Sequence, residues 1–415
     1  MKLPHASGAG AVLIAMAAAT LIGAPAAGPV KFEAHDIDAK LPGAYAVNTA
    51  DFNNDGKLDV IANSLGVREL AWYENPLGAE AGTAKAATWE RHVIVSDTAQ
   101  IVNQAPADIN GDGIPELAFQ SSFAMQAGKS EGLNWIARSA GPGQPWKTEK
   151  FDAFPTSHHV VWADLDGDGK KELINAPLIG ANSLAPTYDQ DKAPVFWYSQ
   201  KDWKRHVITD SVPGIIHRVR AVPWDNNKRD QILVASFEGI VLYRAAGSGD
   251  TLTFEKVVLS SGHDSEKAPR LGASDVGAGN QDGKRFFASV EPWHGNEVVV
   301  YTGSGNSWAR RVIFDKVASG HEIAVVDLNG DGRDDLVVND NSRGPTQNNP
   351  TAAPGGVHLF YAPDDAAKGE WQYQRLEDKL GMNSCVGVDL NKDKKNDVVC
   401  GGAGGVVRWY ENKGR

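Results

Sequence analysis

Histidines occupy a repeated place in this 415-residue chain. His158 and His321 each lie six residues before the first aspartate of an acidic loop, and His217 lies at the matching point of a degraded copy. Equal offsets from a repeated motif put side chains around a common axis. Imidazoles gathered in that way can bind a divalent metal or move protons near neutral pH. The fifth unit adds His263, Arg270, Glu291 and His294, the last two inside a short Glu-Pro-Trp-His-Gly-Asn turn. The candidate catalytic set is therefore His158, His217, Arg270, His294 and His321. Tyr45 and Asn383 hold the same offset in the first and last units. His35, His92 and His206 sit in outer alternating stretches and read as structural.

The second candidate chemistry is oxygen ligation. A loop of the form D-x-[D/N]-x-D-x-x-x-[D/E] recurs five times in recognisable form. Its ligand sets are Asp51, Asn53, Asp55 and Asp59; Asp108, Asn110, Asp112 and Glu116; and Asp164, Asp166, Asp168 and Glu172. The later sets are Asp327, Asn329, Asp331 and Asp335, and Asp389, Asn391, Asp393 and Asp397. Calcium takes about six to eight hard oxygen ligands, which alternate carboxylates in a tight loop supply. Up to five structural calcium ions are expected. Lys394 replaces the loop glycine in the last set, so that site should be weaker. The competing reading is a series of solvated Asx turns without metal.

These loops also fix the elements that must carry them. Degraded copies at Trp224–Asp230 and Asp275–Asp282 fill the gap between the third and fourth loops, giving seven units of roughly 50–60 residues. Two further columns repeat seven times: an aromatic pair such as Trp72-Tyr73 or Trp197-Tyr198, and a stretch reading Trp-x-Arg-His-Val-Ile. Each unit reads as four short strands: Val160–Ala163 runs into an acidic loop, Glu172–Asn175 leaves it, the third ends at the aromatic pair, and the fourth is the Trp-led stretch. Seven four-stranded units in a ring make an all-β, seven-bladed β-propeller. The first repeat element, Phe32–Asp38, is a fourth strand and the chain ends after a third. The N-terminal strand is therefore expected to pair with the C-terminal blade. The two ends of the propeller differ: acidic loops lie on one face, and the long loops Gln120–Asn134, Ala176–Ala193 and Asn339–Gly356 lie on the other with the histidines.

Residues 1–26 read as a secretory signal peptide and 27–415 as the propeller. Lys2 precedes an apolar run from Ala9 to Gly23, and Ala24-Pro25-Ala26 supplies small residues for cleavage. No other stretch is long enough to span a bilayer. A periplasmic or extracellular product follows. In such a compartment Cys385 and Cys400, flanking the last acidic loop, are read either as a disulfide or as two buried thiols. The net charge of −11 would approach neutrality with five calcium ions bound, and the basic footprint of a nucleic-acid binder is absent.

The loops resemble FG-GAP/VCBS-type repeats, which implies a seven-bladed propeller with calcium between the first two strands of a blade. That resemblance says nothing of activity. The His-x-Val-x-x-x-Asp pattern at the start of the inner strands and the Glu-Pro-Trp-His-Gly-Asn turn resemble the propeller part of aldos-2-ulose dehydratases and, more loosely, propeller polysaccharide lyases. The implied reaction is β-elimination on a sugar, with His158 or His217 as base. Arg270 or a second, histidine-bound divalent metal would stabilise the anion. The alternative is a non-catalytic propeller that binds glycans or protein partners through its long loops. The substrate sugar and the oligomeric state stay open.

Overall fold

The computed structural model describes residues 27–77, 88–225, 228–344, 351 and 353–415. The expected signal peptide lies outside the described residues, as does part of the Asn339–Gly356 loop. The described chain forms seven antiparallel sheets of four strands each, and no α-helix occurs among these residues.

Blade one holds β2 (Ala44–Ala50), β3 (Asp59–Ser64), β4 (Leu70–Glu74) and β5 (Glu90–Val95). Blade two holds β6 (Asn103–Ala107), β7 (Glu116–Ser121), β8 (Leu133–Arg138) and β9 (Lys147–Ala153). Blade three holds β10 (Ser157–Ala163), β11 (Glu172–Pro177), β12 (Lys192–Tyr198) and β13 (Arg205–Pro213). Blade four holds β14 (Ile216–Val222), β15 (Gln231–Ser236), β16 (Gly239–Ala246) and β17 (Thr253–Ser260). Blade five holds β18 (Asp275–Gln281), β19 (Lys284–Glu291), β20 (Glu297–Ser304) and β21 (Ser307–Phe314). Blade six holds β22 (Gly320–Val326), β23 (Asp335–Arg343), β24 (Pro354–Tyr361) and β25 (Gln372–Glu377). Blade seven combines β26 (Ser384–Val388), β27 (Asp397–Gly402) and β28 (Val406–Gly414) with β1 (Lys31–Asp38). β1 runs antiparallel to β28, with Phe32 opposite Asn412 and His35 opposite Trp409.

The first strand of every blade touches the first strands of its two neighbours, so β2, β6, β10, β14, β18, β22 and β26 form a closed inner ring. The apolar cores lie between blades. Ile174, Val195 and Trp197 of blade three pack with Val219, Val234 and Tyr243 of blade four, and the other interfaces repeat the pattern. This explains the aromatic column: a sheet two-sided in apolar residues must bury both faces.

The outer histidines pack against the aromatic column. His92 stacks on Trp72 at 4.3 Å and His206 on Trp197 at 4.2 Å between ring centroids. His35 lies against Trp409 and its Nε2 is 3.0 Å from Glu411. Cys385 and Cys400 face each other across β26 and β27 and form a disulfide. The degraded fifth copy needs correction. Asp275–Gln281 is the inner strand itself, and its loop has shrunk to a tight turn at Asp282 and Gly283, both at positive φ (50° and 79°). A two-residue hairpin with both central residues left-handed matches strand twist, which is why no room remains for a ligand loop there.

Candidate functional site

Each inner strand starts at the channel mouth, and in blades one, two, three, six and seven it ends at an acidic loop. A strand rises about 3.3 Å per residue, so the two ends are roughly 20 Å apart. The histidines stand at the start. His158, His217 and His321 occupy the second position of β10, β14 and β22. In all three strands the pairing register shifts at this point, between Ser157 and His159, Ile216 and Arg218, and Gly320 and Glu322. A bulge re-aims side chains and breaks strict alternation. Both rings of the His158–His159 pair therefore lie near the His217 ring, at 5.5 and 6.2 Å between centroids.

His294 arrives by a different route. It sits in the turn after β19 at φ +49°, a left-handed conformation unusual for a residue with a Cβ. The turn is clamped by the Gly295 amide on the Pro292 carbonyl at 2.7 Å and the Gly320 amide on the Gly295 carbonyl at 2.8 Å. A Cβ on Gly295 would come within 2.3 Å of the Glu291 and Pro292 backbone, so only glycine fits. The result places His294 Nε2 3.2 Å from His217 Nε2. His217, His294 and His321 each offer one ring nitrogen within 4.8 Å of the others.

The protonation pattern suits a cation. A neutral imidazole carries one N–H. His217 spends its own at Nδ1 on the Ser274 carbonyl at 2.9 Å, and His321 spends its own at Nδ1 on the Asn383 carbonyl at 2.5 Å. Both Nε2 lone pairs are left facing the cluster, the arrangement seen when a second partner orients a metal-ligating histidine. Burial, and then the neighbouring groups, hold all the rings neutral: His321 is depressed to about 4 and His294 to about 3. His158 and His217 are lowered well below the usual histidine value for the same reasons. The residues therefore fit a divalent ion.

Tyr45, at the matching offset in blade one, completes the cluster. Its hydroxyl is 3.3 Å from His321 Nε2 and 3.4 Å from His158 Nε2. Burial, then the Glu322 carboxylate, pushes its pKa far above the usual phenol value, so it stays protonated. Tyr45, His294, His321 and Asn383 line a cavity of about 590 Å³ that opens on the side of blades six, seven and one. Opposite, the two long loops after β7 and β11 fold over the mouth: Phe123 and Ala127 pack with Leu178, Ile179 and Phe237, with Trp293 against them. One half of the mouth is thus roofed by apolar side chains.

Beneath the histidines lies a charged layer that the sequence reading missed. Arg218 bridges the buried Asp275 carboxylate (3.2 Å) and Glu322, and Arg220 reaches Asp275 at 2.7 Å. A signal existed: Arg218, Glu322 and His159 each directly follow a candidate histidine. Strict alternation would put them on the opposite face, and the bulge changes that.

Arg270 is not brought to the cluster. Its side chain is 47% exposed and pairs with Glu266 at 2.7 Å. His263 is engaged by Glu297 and Ser265 beside it. Glu291 is buried inside blade five, held by Tyr301 at 2.6 Å and Arg310 at 2.8 Å. Arg270 and His263 lie on the segment before β18 and Glu291 at the end of β19, whereas the turn that follows β19 carries His294 to His217.

At the far face the five acidic loops share one geometry. The first aspartate accepts the amide five residues on: Gly56, Gly113, Gly169, Gly332 and Lys394, at 2.7 to 3.0 Å. The closing carboxylate accepts the amide of the second loop residue, as in Leu165 to Glu172 at 3.0 Å. Burial, then the facing carboxylates, raises the closing groups: Asp59 to about 6, Glu172 to about 7 and Asp335 to about 8. Asp164, Asp166 and Glu172 each offer an oxygen within 4.8 Å of the others. A hard-oxygen set under mutual repulsion fits calcium. Lys394 stands at φ +68° where the other loops have glycine, which strains the last loop.

Comparison with known proteins agrees with this architecture. Residues 131–304 match the family described as aldos-2-ulose dehydratase, beta-propeller domain, and residues 51–119 and 279–338 match the FG-GAP-like repeat. A curated relative is aldos-2-ulose dehydratase of Phanerodontia chrysosporium, 24% identical over 231 residues. That match covers 50% of this chain and 25% of the relative's length. Among solved structures, Saccharomyces cerevisiae Sqt1 superposes with a TM-score of 0.52 at 11% identity over 88% of this chain and 84% of that one. The structure of BBS1N in complex with ARL6DN, soaked with lead, does so with 0.53 at 12% identity over 92% and 96%. These likenesses concern the fold. The chain is a seven-bladed β-propeller carrying FG-GAP-like repeats, related at low identity to the propeller domain of aldos-2-ulose dehydratase.

Proposed function

We propose that the channel mouth performs β-elimination on a sugar. The observation that carries this reading is the meeting of His217, His294 and His321 nitrogens beside a sugar-sized cavity whose wall includes His294, His321 and Tyr45, with His158 against Tyr45 behind it. The stretch matched to the dehydratase propeller contains His158, His217 and His294. The three histidines would hold a divalent metal. Such an ion, when bound, stabilises the negative charge that develops on a carbonyl or carboxylate oxygen.

The remaining chemistry belongs to side chains. The C–H bond next to the carbonyl breaks and its electron pair forms the new C=C bond. The C–O bond at the following carbon breaks as that pair moves. His158, neutral at physiological pH, takes the proton. Tyr45, protonated and lining the cavity, donates to the departing oxygen and recovers a proton from His158 across their 3.4 Å contact. The apolar roof of Phe123, Leu178 and Ile179 keeps water from the mouth on one side. Arg218 holds Glu322 and Asp275 in place, one residue below the ring, instead of meeting substrate.

Structural calcium in up to five acidic loops belongs to the same reading, as does export to an oxidising compartment, supported by the Cys385–Cys400 disulfide. No helix among the described residues is long and apolar enough to cross a membrane.

The test is a screen of ketosugars and uronate-containing glycans, with and without added divalent metal. Elimination makes a conjugated product, so ultraviolet absorbance should rise in the parent protein and not in His217→Gln. Glycan binding that survives this substitution, with no unsaturated product from any substrate, would replace the lyase reading by a non-catalytic binding propeller.

A further inference from the structure

We propose that removal of residues 1–26 creates a cation that the fold uses: the α-ammonium of Ala27, held by Asp331 in the acidic loop of blade six. The inference is independent of the reaction at the mouth. Two separate observations meet at this residue. The sequence places the cleavable bond between Ala26 and Ala27, after the small residues Ala24-Pro25-Ala26. The structure puts the Ala27 backbone nitrogen 3.0 Å from Asp331 Oδ2, and the Asn329 side-chain amide donates to the Ala27 carbonyl.

The segment between this anchor and β1 is also fixed. The Val30 amide donates to the Tyr361 hydroxyl at 3.4 Å, and Gln374 donates to the Val30 carbonyl at 3.2 Å. Val30 is buried among Leu328, Val337, Tyr361 and Tyr410, in the core between blades six and seven. Residues 27–30 therefore bind blade six, while residues 31–38 complete blade seven as β1. The N-terminal stretch ties two neighbouring blades together, and its first nitrogen reaches an acidic loop.

Charge explains why an ammonium suits that place. The Arg333 guanidinium is shared by Asp331 (3.4 Å), Asp282 (3.3 Å) and Asp364 (3.3 Å), with Asp327 and Asp335 in the same loop. In blades one and seven the matching aspartates, Asp55 and Asp393, each face a lysine two residues on, at 2.9 and 2.5 Å. When this loop holds no calcium, Arg333 is thus divided among three carboxylates, where Asp55 and Asp393 each have a lysine of their own. Hydrolysis by a leader peptidase breaks the Ala26–Ala27 amide. Water gives its hydroxyl to the Ala26 carbonyl carbon and a hydrogen to the Ala27 nitrogen, which takes a further proton from solvent. One neutral N–H becomes a charged group with three donors, and charge-assisted hydrogen bonds are roughly twice as strong as neutral ones. Processing thereby strengthens the join between blades six and seven.

The experiment has two parts. The full-length precursor is expressed in a secreting bacterial host, and the intact mass of the exported protein is measured. A first residue of Ala27 is expected, and any other mature start overturns the proposal. Next, the chain beginning at Ala27 is compared with the same chain carrying Gly-Ser ahead of it, in the parent and in Asp331→Asn. All four proteins are melted in chelator, so that calcium does not enter the difference. The extension should lower the melting temperature of the parent by about 2 °C. In Asp331→Asn the two forms should melt together. An equal difference in both backgrounds would show that the extension disturbs packing only, and the ammonium would have no partner at Asp331.

Discussion

The two ends of the same seven inner strands are built on opposite plans. At the acidic end each loop closes its own turn: Asp164 and Glu172 take amides from within their own nine residues. At the mouth no blade suffices. His217, His294 and His321 come from blades four, five and six, and Tyr45 from blade one. The acidic end is repeated and local, and the mouth is singular and assembled. The difference teaches that a repeat protein keeps its period where each unit must fold, and departs from it where units must cooperate. The departures are a bulge at the start of four inner strands, β2, β10, β14 and β22, and one turn residue held at positive φ.

The strongest way to break this contrast is to alter the mouth alone. His217→Gln should cut elimination by at least about 10²-fold and remove the metal bound at the mouth. Calcium content by elemental analysis should not change. Loss of calcium in parallel would show that the two ends are coupled, and the division between them would fail.

Acid should act on the two ends with opposite sign once metals are stripped. A carboxyl raised in the folded state, such as Asp335 at about 8, destabilises the fold at high pH and relieves that penalty as pH falls toward its unfolded value of 3.8. A histidine depressed to about 4, such as His321, costs nothing above its unfolded value of 6.5 and destabilises progressively below it. In chelator, stability should therefore rise from pH 8 to about 6.5 and turn over below. Asp335→Asn should flatten the rise and His321→Asn should soften the fall, the latter by about 3 kcal/mol at pH 4. Denaturant titration across pH measures both, and a single monotonic trend in all three proteins would contradict the assignment.

Calcium should matter next in size. A ligand that binds only the folded state at a hundred times its Kd stabilises by about 2.7 kcal/mol per site. Chelation should lower the melting temperature, and Asp164→Ala should remove one equivalent of calcium while leaving turnover intact. An unchanged melt in excess chelator would mark the loops as metal-free Asx turns. The smallest effect is expected at the rim. His92→Ala loses its stack on Trp72 and its contact with Glu74 at 2.9 Å, worth about 1 kcal/mol, with no change in activity or metal content.

The sequence by itself determined the number of blades, the strand order within them and the place of the acidic loops. Those features rest on short-range patterns: alternation, tight turns and amides answered within a few residues. It also placed His158, His217 and His321 on one ring, because equal offsets in identical units must map to equal heights around the axis. Only the tertiary structure decided which side chains meet. His217 and His294 are 77 residues apart in the chain, and their 3.2 Å contact depends on ring closure and on the Gly295 turn. Arg270, near His294 in sequence, is turned out to Glu266, whereas Arg218 faces the channel because a bulge breaks alternation beside His217. A repeat fixes distance along its own period. Contacts across the central axis depend also on backbone geometry, the bulges and the left-handed turn at His294, which the spacing of residue types along the repeat does not record.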